Sequence, residues 1–243
     1  MVLQGKTALV IGGGTGIGAG TALAFAEAGA QVAISGRRIE KLGETTARFL
    51  GQPAIQCHVC DVADREQVRE LIAWATKTLG RIDILVQCAG VNIPKRSMDV
   101  LDPKDWDKLM QVNATGTYNV MHYVLPQMRA RKDGLIINVS SVAGVRAGLL
   151  GGVAYNASKF AMTALGTTVA AEEKNNGIRI TNVFPGEVET PILDARPVPV
   201  SAEHRAKILQ PEDIASVLVS IAALPPRAHV AELVIKPTTQ EFV

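Results

Sequence analysis

The chain has 243 residues, a net charge of +2, 47% hydrophobic residues and 20% charged residues. These values are typical of a globular protein and show no clustered basic stripe, which a nucleic-acid groove would need. The sequence contains no run of 18 apolar residues that would predict a membrane span, and residues 1–6 lack the features of a signal peptide. We therefore expect a cytoplasmic protein that binds neither nucleic acid nor membrane.

The cysteines and histidines show no pattern of a metal or redox site. Cys57, Cys60 and Cys88 cannot all pair within one chain, which is typical of a reducing compartment. Cys57 and Cys60 form a C-x-x-C, but no second ligand pair accompanies it, and it closes an apolar run instead of opening a helix. The four histidines are scattered. We expect ordinary strand packing for the cysteines and predict no metal.

Short apolar runs alternate with longer segments of helical periodicity. The predicted strands are residues 7–11, 32–35, 54–59, 82–86, 135–139, 178–184 and 232–235. The predicted helices are residues 16–28, 40–50, 64–79, one that follows Pro103, a longer one that ends near Arg131, 154–174 and 211–223. Doubly apolar strands separated by helices predict an α/β fold with a seven-stranded parallel sheet, doubly wound with helices on both faces. We expect a single domain over residues 1–243, with the irregular residues 187–208 as a substrate loop.

A glycine-rich turn joins the first predicted strand to the first predicted helix. Glycines let the backbone approach a pyrophosphate closely, and the helix start that follows offers free N–H groups. A plain tight turn is the alternative, but this junction is where an alternating fold binds a dinucleotide. The residues predicted to bind the cofactor here are Gly12, Gly14, Thr15, Gly16, Ile17 and Gly18.

The end of the second predicted strand bears on the choice between NADP and NAD. A carboxylate at this position would accept hydrogen bonds from the ribose 2′-hydroxyl of NAD. The sequence instead has Arg37 and Arg38, whose guanidinium groups suit the 2′-phosphate of NADP. NADP is therefore favoured, NAD remains possible, and the alternative is that both arginines are solvated helix-start residues.

Asp61 closes the third predicted strand, ahead of a predicted helix. A carboxylate there could accept a hydrogen bond from the adenine amino group, or it could serve as a helix N-cap or turn residue. The residue and its position alone do not decide between these two interpretations.

A tyrosine, a lysine and one of two adjacent serines are predicted to meet at the edge of the sheet. Tyr155 and Lys159 are four residues apart in a helix and share a face, and Ser140 and Ser141 end the fifth strand. A carbonyl that receives a hydride must also receive a proton, which a phenol can donate. We expect the lysine cation to lower the tyrosine pKa towards neutrality and a serine hydroxyl to orient the substrate oxygen.

The sequence resembles short-chain dehydrogenases/reductases of the small single-domain kind nearly from end to end. Six motifs carry the resemblance: the glycine turn, Asp61-Val62, Asn113-x-x-Gly116, the serine matched by Ser141, Tyr155-x-x-x-Lys159, and Pro185-Gly186-x-Val188-x-Thr190. The resemblance implies a Rossmann-type fold.

The resemblance also implies roles for single residues. The implied catalytic set is Ser141, Tyr155, Lys159 and Asn113, the last supporting a water that links Lys159 to solvent. Further implied cofactor-binding residues are Asp61, Val62, Ala89, Gly90, Tyr155, Lys159, Pro185, Gly186, Val188 and Thr190. Val188 through its backbone and Thr190 through its hydroxyl are implied to meet the nicotinamide carboxamide.

Several positions depart from the family pattern. Ile11 replaces the usual threonine before the glycine turn, and Gln87-Cys88 replaces two asparagines after the fourth strand, where we expect a packing change without loss of activity. The loop from Ser141 to Tyr155 is one residue longer than usual, which leaves Ser140 as an alternative. The tail, residues 232–240, resembles the serine and 3-hydroxy acid dehydrogenase branch.

These observations favour an NADP-dependent oxidoreductase that reversibly transfers a hydride between nicotinamide and a carbonyl or secondary alcohol, such as a ketone, an aldehyde or a 3-oxo or 3-hydroxy acid. The alternatives are an NAD-dependent alcohol dehydrogenase and a non-catalytic dinucleotide-binding regulator. The partner predicted is a small-molecule substrate, and the assembly a homotetramer or else a homodimer. Four basic residues could meet an anionic substrate or could be solvated loop charges: Arg146, Arg196, His204 and Arg205.

Overall fold

The computed structural model of the chain describes residues 1–241, and within them one parallel sheet has seven strands. The strands are β1 (Thr7–Ile11), β2 (Gln31–Gly36), β3 (Gln56–Val59), β4 (Ile84–Gln87), β5 (Gly134–Val139), β6 (Ile178–Pro185) and β7 (Glu232–Ile235). Their order is β3-β2-β1-β4-β5-β6-β7, and every pairing is parallel. The order reverses between β1 and β4, and sheets of this class bind ligands at the carboxyl ends of their strands beside such a point.

Helices cover both faces of the sheet. They are α1 (Gly16–Glu27), α2 (Ile39–Ala47), α3 (Arg65–Leu79), α4 (Pro103–Leu109), α5 (Gly116–Arg131), α6 (Val153–Glu173), α7 (Ala202–Arg205) and α8 (Pro211–Ala222). Residues of α1, α2 and α8 belong to one hydrophobic cluster, and residues of α3, α5 and α6 belong to the other. Within β1, Val10 packs into the first cluster and Leu9 into the second, because successive strand side chains point to opposite faces. The predicted doubly wound Rossmann-type fold is confirmed.

Local signals explain where several helices begin. The Asp64 carboxylate accepts hydrogen bonds from the backbone N–H groups of Glu66 and Gln67 and so caps α3. Asp102 caps α4 in the same way through Lys104 N, and Pro103 occupies its first turn. These side chains satisfy backbone donors that a helix start otherwise leaves without partners.

Two regions differ from the expectation. A π-helical turn (Met110–Thr115) joins α4 to α5 and widens the helix where Asn113 lies. The predicted substrate loop contains a short 3₁₀ helix (Pro191–Ala195) and α7, so it is more regular than its prolines indicate.

None of the helices in residues 1–241 has the length and apolar character needed to cross a membrane.

Candidate active site

A cleft of about 750 Å³ runs along the carboxyl ends of the central strands. Nineteen of the twenty predicted site residues line it: Gly12, Gly14, Thr15, Gly16, Ile17, Gly18, Arg37, Arg38, Asp61, Val62, Ala89, Gly90, Ser141, Tyr155, Lys159, Pro185, Gly186, Val188 and Thr190. Asn113, the twentieth, is fully buried. We call the residues of the turns after β1, β2 and β3 the cofactor part of the cleft, and those around Tyr155 and residues 187–208 the substrate part.

The glycine turn after β1 forms a cradle that side chains would fill. A Cβ atom at Gly18 would overlap the carbonyl oxygen of Gly12, and one at Gly12, whose φ is +78°, would lie 2.7 Å from the Ala89 nitrogen. At the start of α1, Thr15 makes no side-chain cap, and the first turn has no acidic residue. Unlike those of α3 and α4, the N–H groups at this helix start have no side-chain acceptor. This arrangement fits the pyrophosphate of a dinucleotide.

The end of β2 presents basic side chains to the same cleft. Arg37 and Arg38 are exposed and line it, and Lys41 on α2 lines it as well, although its ammonium group lies 2.8 Å from the Glu44 carboxylate. The sequence pattern did not single out Lys41. A cleft wall with these charges fits an additional phosphate better than a ribose hydroxyl.

Asp61 lies in the cofactor part and is not the cap of α3, since Asp64 has that role. Its Oδ1 atom accepts a hydrogen bond from Ala63 N at 3.0 Å, and its own N–H donates to Gln67 Oε1 at 2.9 Å. The turn interpretation therefore describes its contacts. The adenine contact stays a prediction that its position in the cleft allows.

Tyr155 and Lys159 share one face of α6. The Lys159 Nζ atom lies 5.8 Å from the centre of the Tyr155 ring, and it donates to the Val139 carbonyl at 3.2 Å. Lys159 is buried, and burial lowers the pKa of its ammonium group to about 8. This lysine can therefore change its charge in the range where enzymes work.

The pKa of Tyr155 differs from the expectation. Burial raises it above its ordinary value, while interaction with the Ser141 hydroxyl and the positive charge of Arg96 act in the opposite direction. The spacing of Tyr155 and Lys159 predicts a tyrosine pKa nearer neutrality, but the buried lysine itself holds its proton weakly. The Tyr155 phenol is consequently protonated at neutral pH.

The two serines after β5 have different surroundings. The Ser141 Oγ atom accepts a hydrogen bond from Ala143 N at 3.1 Å. The same hydroxyl interacts with the Tyr155 phenol and opposes the rise that burial causes in the phenol's pKa. The Ser140 Oγ atom lies 3.2 Å from Thr163 Oγ1 and 3.3 Å from the Lys159 carbonyl, so it contacts α6. Of the two alternatives, Ser141 is the one whose contacts suit a substrate oxygen beside the phenol.

Asn113 connects the loop after β4 to α6. Its Oδ1 atom accepts from Val91 N at 2.8 Å, and its Nδ2 atom donates to the Val91 carbonyl at 3.0 Å and to Ser158 Oγ at 2.9 Å. A Cβ atom at Gly90 would lie 3.5 Å from both Asn113 Oδ1 and Lys159 Nζ. Asn113 thus fixes the helix that carries the lysine, and its implied role in a water path stays a prediction.

The Gln87 departure has a clear structural result. Gln87 Nε2 donates to Asn138 Oδ1 at 3.0 Å, and Asn138 Nδ2 donates to Asn182 Oδ1 at 3.1 Å. Buried amide side chains therefore connect β4, β5 and β6, so Gln87 still links the strands through polar contacts.

The two cysteines that line the cleft have raised pKa values. Burial raises the pKa of the neighbouring Cys88 thiol to about 12. Burial, and then the negative charge of Asp61, raise the pKa of the Cys60 thiol to about 12. Both thiols stay protonated near neutral pH and are unreactive.

The basic residues of the substrate loop are paired within that loop. Arg196 lies 3.1 Å and His204 2.5 Å from the Glu187 carboxylate, whose pKa is lowered by these partners against the opposing effect of burial. Arg205 lies 2.8 Å from Glu189 and also pairs with Asp194. These three basic residues are therefore not simply solvated, and they already have acidic partners.

Two side chains outside the predicted set, Gln240 and Arg96, shape the substrate part. Gln240 Oε1 accepts a hydrogen bond from Glu187 N at 2.9 Å, so the tail packs against the turn after β6. Arg96 is buried, and its guanidinium donates to three backbone carbonyls. A basic residue in a polar loop normally indicates solvent exposure, so no sequence signal distinguished it. Among residues 1–241, no group of three or more His, Cys, Asp or Glu side chains could hold a metal ion.

Comparison with known proteins places this chain in a family. Residues 6–198 match the sequence profile of the short chain dehydrogenase family. The chain is 34% identical over 229 residues to the 3-oxoacyl-(acyl-carrier-protein) reductase FabG of Thermotoga maritima, and this match covers 92% of each chain. It is 36% identical over 246 residues to the glycine betaine reductase ATRR of Emericella nidulans, which covers 97% of this chain but 19% of that protein. The chain therefore spans about a fifth of that relative's length.

A solved structure resembles the whole fold. The closed form of a serine dehydrogenase complexed with NADP+ superposes with a TM-score of 0.88 at 27% identity, over 97% of this chain and 96% of that one. The profile match covers the glycine turn, the Tyr155–Lys159 pair and the turn after β6. The chain belongs to the short-chain dehydrogenase/reductase family and is an oxidoreductase that acts with a nicotinamide dinucleotide.

Proposed function

We propose that the protein is an NADP-dependent oxidoreductase that reversibly transfers a hydride between the nicotinamide and a carbonyl or secondary alcohol substrate. The observation that carries this proposal is that one cleft contains the glycine cradle with basic residues after β2 and also Ser141, Tyr155 and Lys159. The proposed carbonyl substrates are ketones, aldehydes or 3-oxo acids.

The cofactor part supplies the groups that would hold NADP. The glycine turn and the uncapped start of α1 fit the pyrophosphate, and Arg37 and Arg38 supply guanidinium groups for the 2′-phosphate. From the adjoining substrate part, Val188 and Thr190 in the turn after β6 also line the cleft and would meet the nicotinamide carboxamide. When bound, the cofactor supplies the hydride.

The residues of the substrate part handle the proton. In reduction, the Tyr155 hydroxyl gives its proton to the carbonyl oxygen, which the Ser141 hydroxyl orients by a hydrogen bond. The Lys159 cation stabilises the tyrosinate that remains. Because burial raises the pKa of Tyr155, the phenol is protonated at neutral pH, which favours reduction over oxidation there.

Titration of the purified protein with NADPH and NADH, followed by nicotinamide fluorescence, tests the cofactor proposal. We expect NADPH to bind at least about tenfold more tightly, because charge-assisted bonds to the 2′-phosphate are absent for NADH. The reverse preference would contradict it and direct the search to alcohols with NAD. Tight NADPH binding without turnover of any carbonyl compound would instead support the non-catalytic regulator.

We also propose a homotetramer, with a homodimer as the alternative. Helices α4, α5 and α6 leave large side chains partly exposed, among them Trp106, Tyr118 and Phe160. Such side chains suit a symmetric interface between copies. Light scattering that gives the 25.8 kDa mass of one chain would contradict both assemblies.

A cytoplasmic location and the absence of nucleic-acid or membrane partners stay predictions from composition.

A further inference from the structure

Arg96 lies where three loops of the substrate part meet. It follows β4 in the chain and is 8% exposed. Its Nε atom donates to the Ile93 carbonyl at 2.8 Å, its Nη1 atom to the Leu150 carbonyl at 2.6 Å, and its Nη2 atom to the Ala195 carbonyl at 2.6 Å. These acceptors belong to the loops after β4, β5 and β6. The guanidinium is therefore held in one place by the segments that surround the substrate.

The charge of Arg96 has no acidic partner in the described part of the chain. No Asp or Glu of residues 1–241 forms an ion pair with it, whereas Arg196 is paired with Glu187 and Arg205 with Glu189 and Asp194. Buried guanidinium groups are normally paired with an anion, because removing a charge from water is costly. Three carbonyl bonds also use three of its five N–H donors and leave two.

These two N–H groups belong to a side chain that lines the cleft together with Tyr155. Burial raises the pKa of Tyr155, and the positive charge of Arg96 acts against this rise, so the guanidinium lies near the phenol. Glu187 also lines the cleft, but Arg196 and His204 share its carboxylate. The surroundings of the reacting group therefore contain a fixed, uncompensated cation.

We propose that Arg96 binds a carboxylate of the substrate, so that the enzyme acts on oxo acids and the corresponding hydroxy acids. This inference rests on the proposed carbonyl reduction. A carboxylate presents two oxygens in one plane, which match two N–H groups of a guanidinium fork. A phosphate has more terminal oxygens and a higher charge than these two donors can satisfy.

The carboxylate takes no part in making or breaking bonds. In reduction, the carbonyl carbon receives the hydride and the carbonyl oxygen receives the Tyr155 proton, while Arg96 fixes the acid group and so aims the carbonyl at the phenol. A purely structural role for Arg96, as a connector of three loops, would affect charged and neutral substrates alike. The ratio between the two kinds of substrate separates these roles.

The test compares each oxo acid with its neutral carboxamide. Suitable pairs are pyruvate and pyruvamide, acetoacetate and acetoacetamide, and 4-oxopentanoate and its amide, which vary the distance between carbonyl and acid. For at least one pair, we expect kcat/KM with NADPH to be roughly tenfold to a hundredfold higher for the acid. We expect Arg96→Met to bring that ratio close to one, and Arg96→Lys, which keeps the charge, to retain part of it.

Arg131→Met is the matched control. Arg131 is also partly buried and donates to the backbone carbonyls of Gln127 and Ile82, but it does not line the cleft. This variant should keep the wild-type ratio. NADPH affinity, measured by fluorescence, should be unchanged in every variant.

A binding measurement on the wild type avoids any folding defect of the variants. Butyrate should bind the NADPH complex at least tenfold more tightly than butyramide. Equal binding, equal kcat/KM within every pair, or an acid preference that survives in Arg96→Met would overturn this inference while the proposed reduction stands. A loss of NADPH affinity in Arg96→Met with an unchanged ratio would also overturn it. Failure of the wild type to reduce any carbonyl compound would overturn the proposed function itself.

Discussion

The cofactor part and the substrate part of the cleft are built by different means. The cofactor part consists largely of backbone: a glycine turn after β1, an uncapped helix start, and the close approach of Gly12 to Ala89. The substrate part consists of side chains held by tertiary contacts: Arg96 donates to the Ala195 carbonyl, and Glu187 pairs with Arg196. The glycine turn and the helix start of the cofactor part are thus formed by neighbouring residues in the sequence, whereas the substrate part depends mainly on contacts between separate loops.

The substrate part can be tested at its two adjacent serines. We expect Ser141→Ala to lower kcat/KM by about a hundredfold, because the substrate oxygen loses a hydrogen-bond donor in the transition state. Ser140→Ala is the matched control, since its hydroxyl contacts Thr163 and α6, and it should change the rate no more than about threefold. Steady-state kinetics with one carbonyl substrate distinguishes them, and a larger loss in Ser140→Ala would exchange the two roles.

The cofactor part can be tested at the end of β2. Arg37→Ala should weaken NADPH binding by roughly tenfold to a hundredfold and leave NADH binding almost unchanged, because only NADPH has the 2′-phosphate. Fluorescence titration measures both. Arg69→Ala, which removes an exposed guanidinium on α3 outside the cleft, should alter neither. Equal weakening of the two cofactors would place the phosphate contact elsewhere.

Lys159 lies beside Tyr155 in the substrate part and is also an implied cofactor-binding residue, and its protonation gives a smaller, graded effect. Burial lowers its pKa to about 8, so the cation is present below that pH and is lost as the pH rises through it. Since the cation stabilises the tyrosinate formed in reduction, kcat/KM of the carbonyl substrate in the NADPH-dependent reaction should fall progressively above about pH 8. In Lys159→Arg, which stays charged, the fall should move to higher pH. A wild-type profile that stays flat up to pH 10 would contradict this role.

The sheet and the cofactor part were predictable because their signals are local. The alternation of short apolar strands with helices gave the parallel sheet, and the glycines between β1 and α1 and the arginines after β2 lie in the cleft as expected. For most strands and helices, the predicted first and last residues lie within a few residues of the observed ones. Period and turn chemistry are properties of neighbouring residues, which is why the sequence alone reveals them.

The remaining features depend on contacts that no local pattern encodes. The π-helical turn around Asn113 adds a residue to a helix whose periodicity predicts an ordinary α-helix. Arg96 lies in a polar loop, and its burial follows only from carbonyls up to 99 residues away in sequence. The raised pKa of Tyr155 results from the burial of the phenol, which outweighs the effects of the Ser141 hydroxyl and the Arg96 charge. Only the folded arrangement brings these groups together.

The most direct test of the proposed chemistry is Tyr155→Phe, measured for NADPH affinity and for turnover of a carbonyl substrate in the same preparation. The change removes the proton donor and keeps the ring, so the NADPH dissociation constant should stay within about threefold of the wild type. Turnover should fall by about a hundredfold to ten-thousandfold, the usual contribution of a general acid. Turnover that stays near the wild-type value would show that another group donates the proton and would contradict the central role of Tyr155.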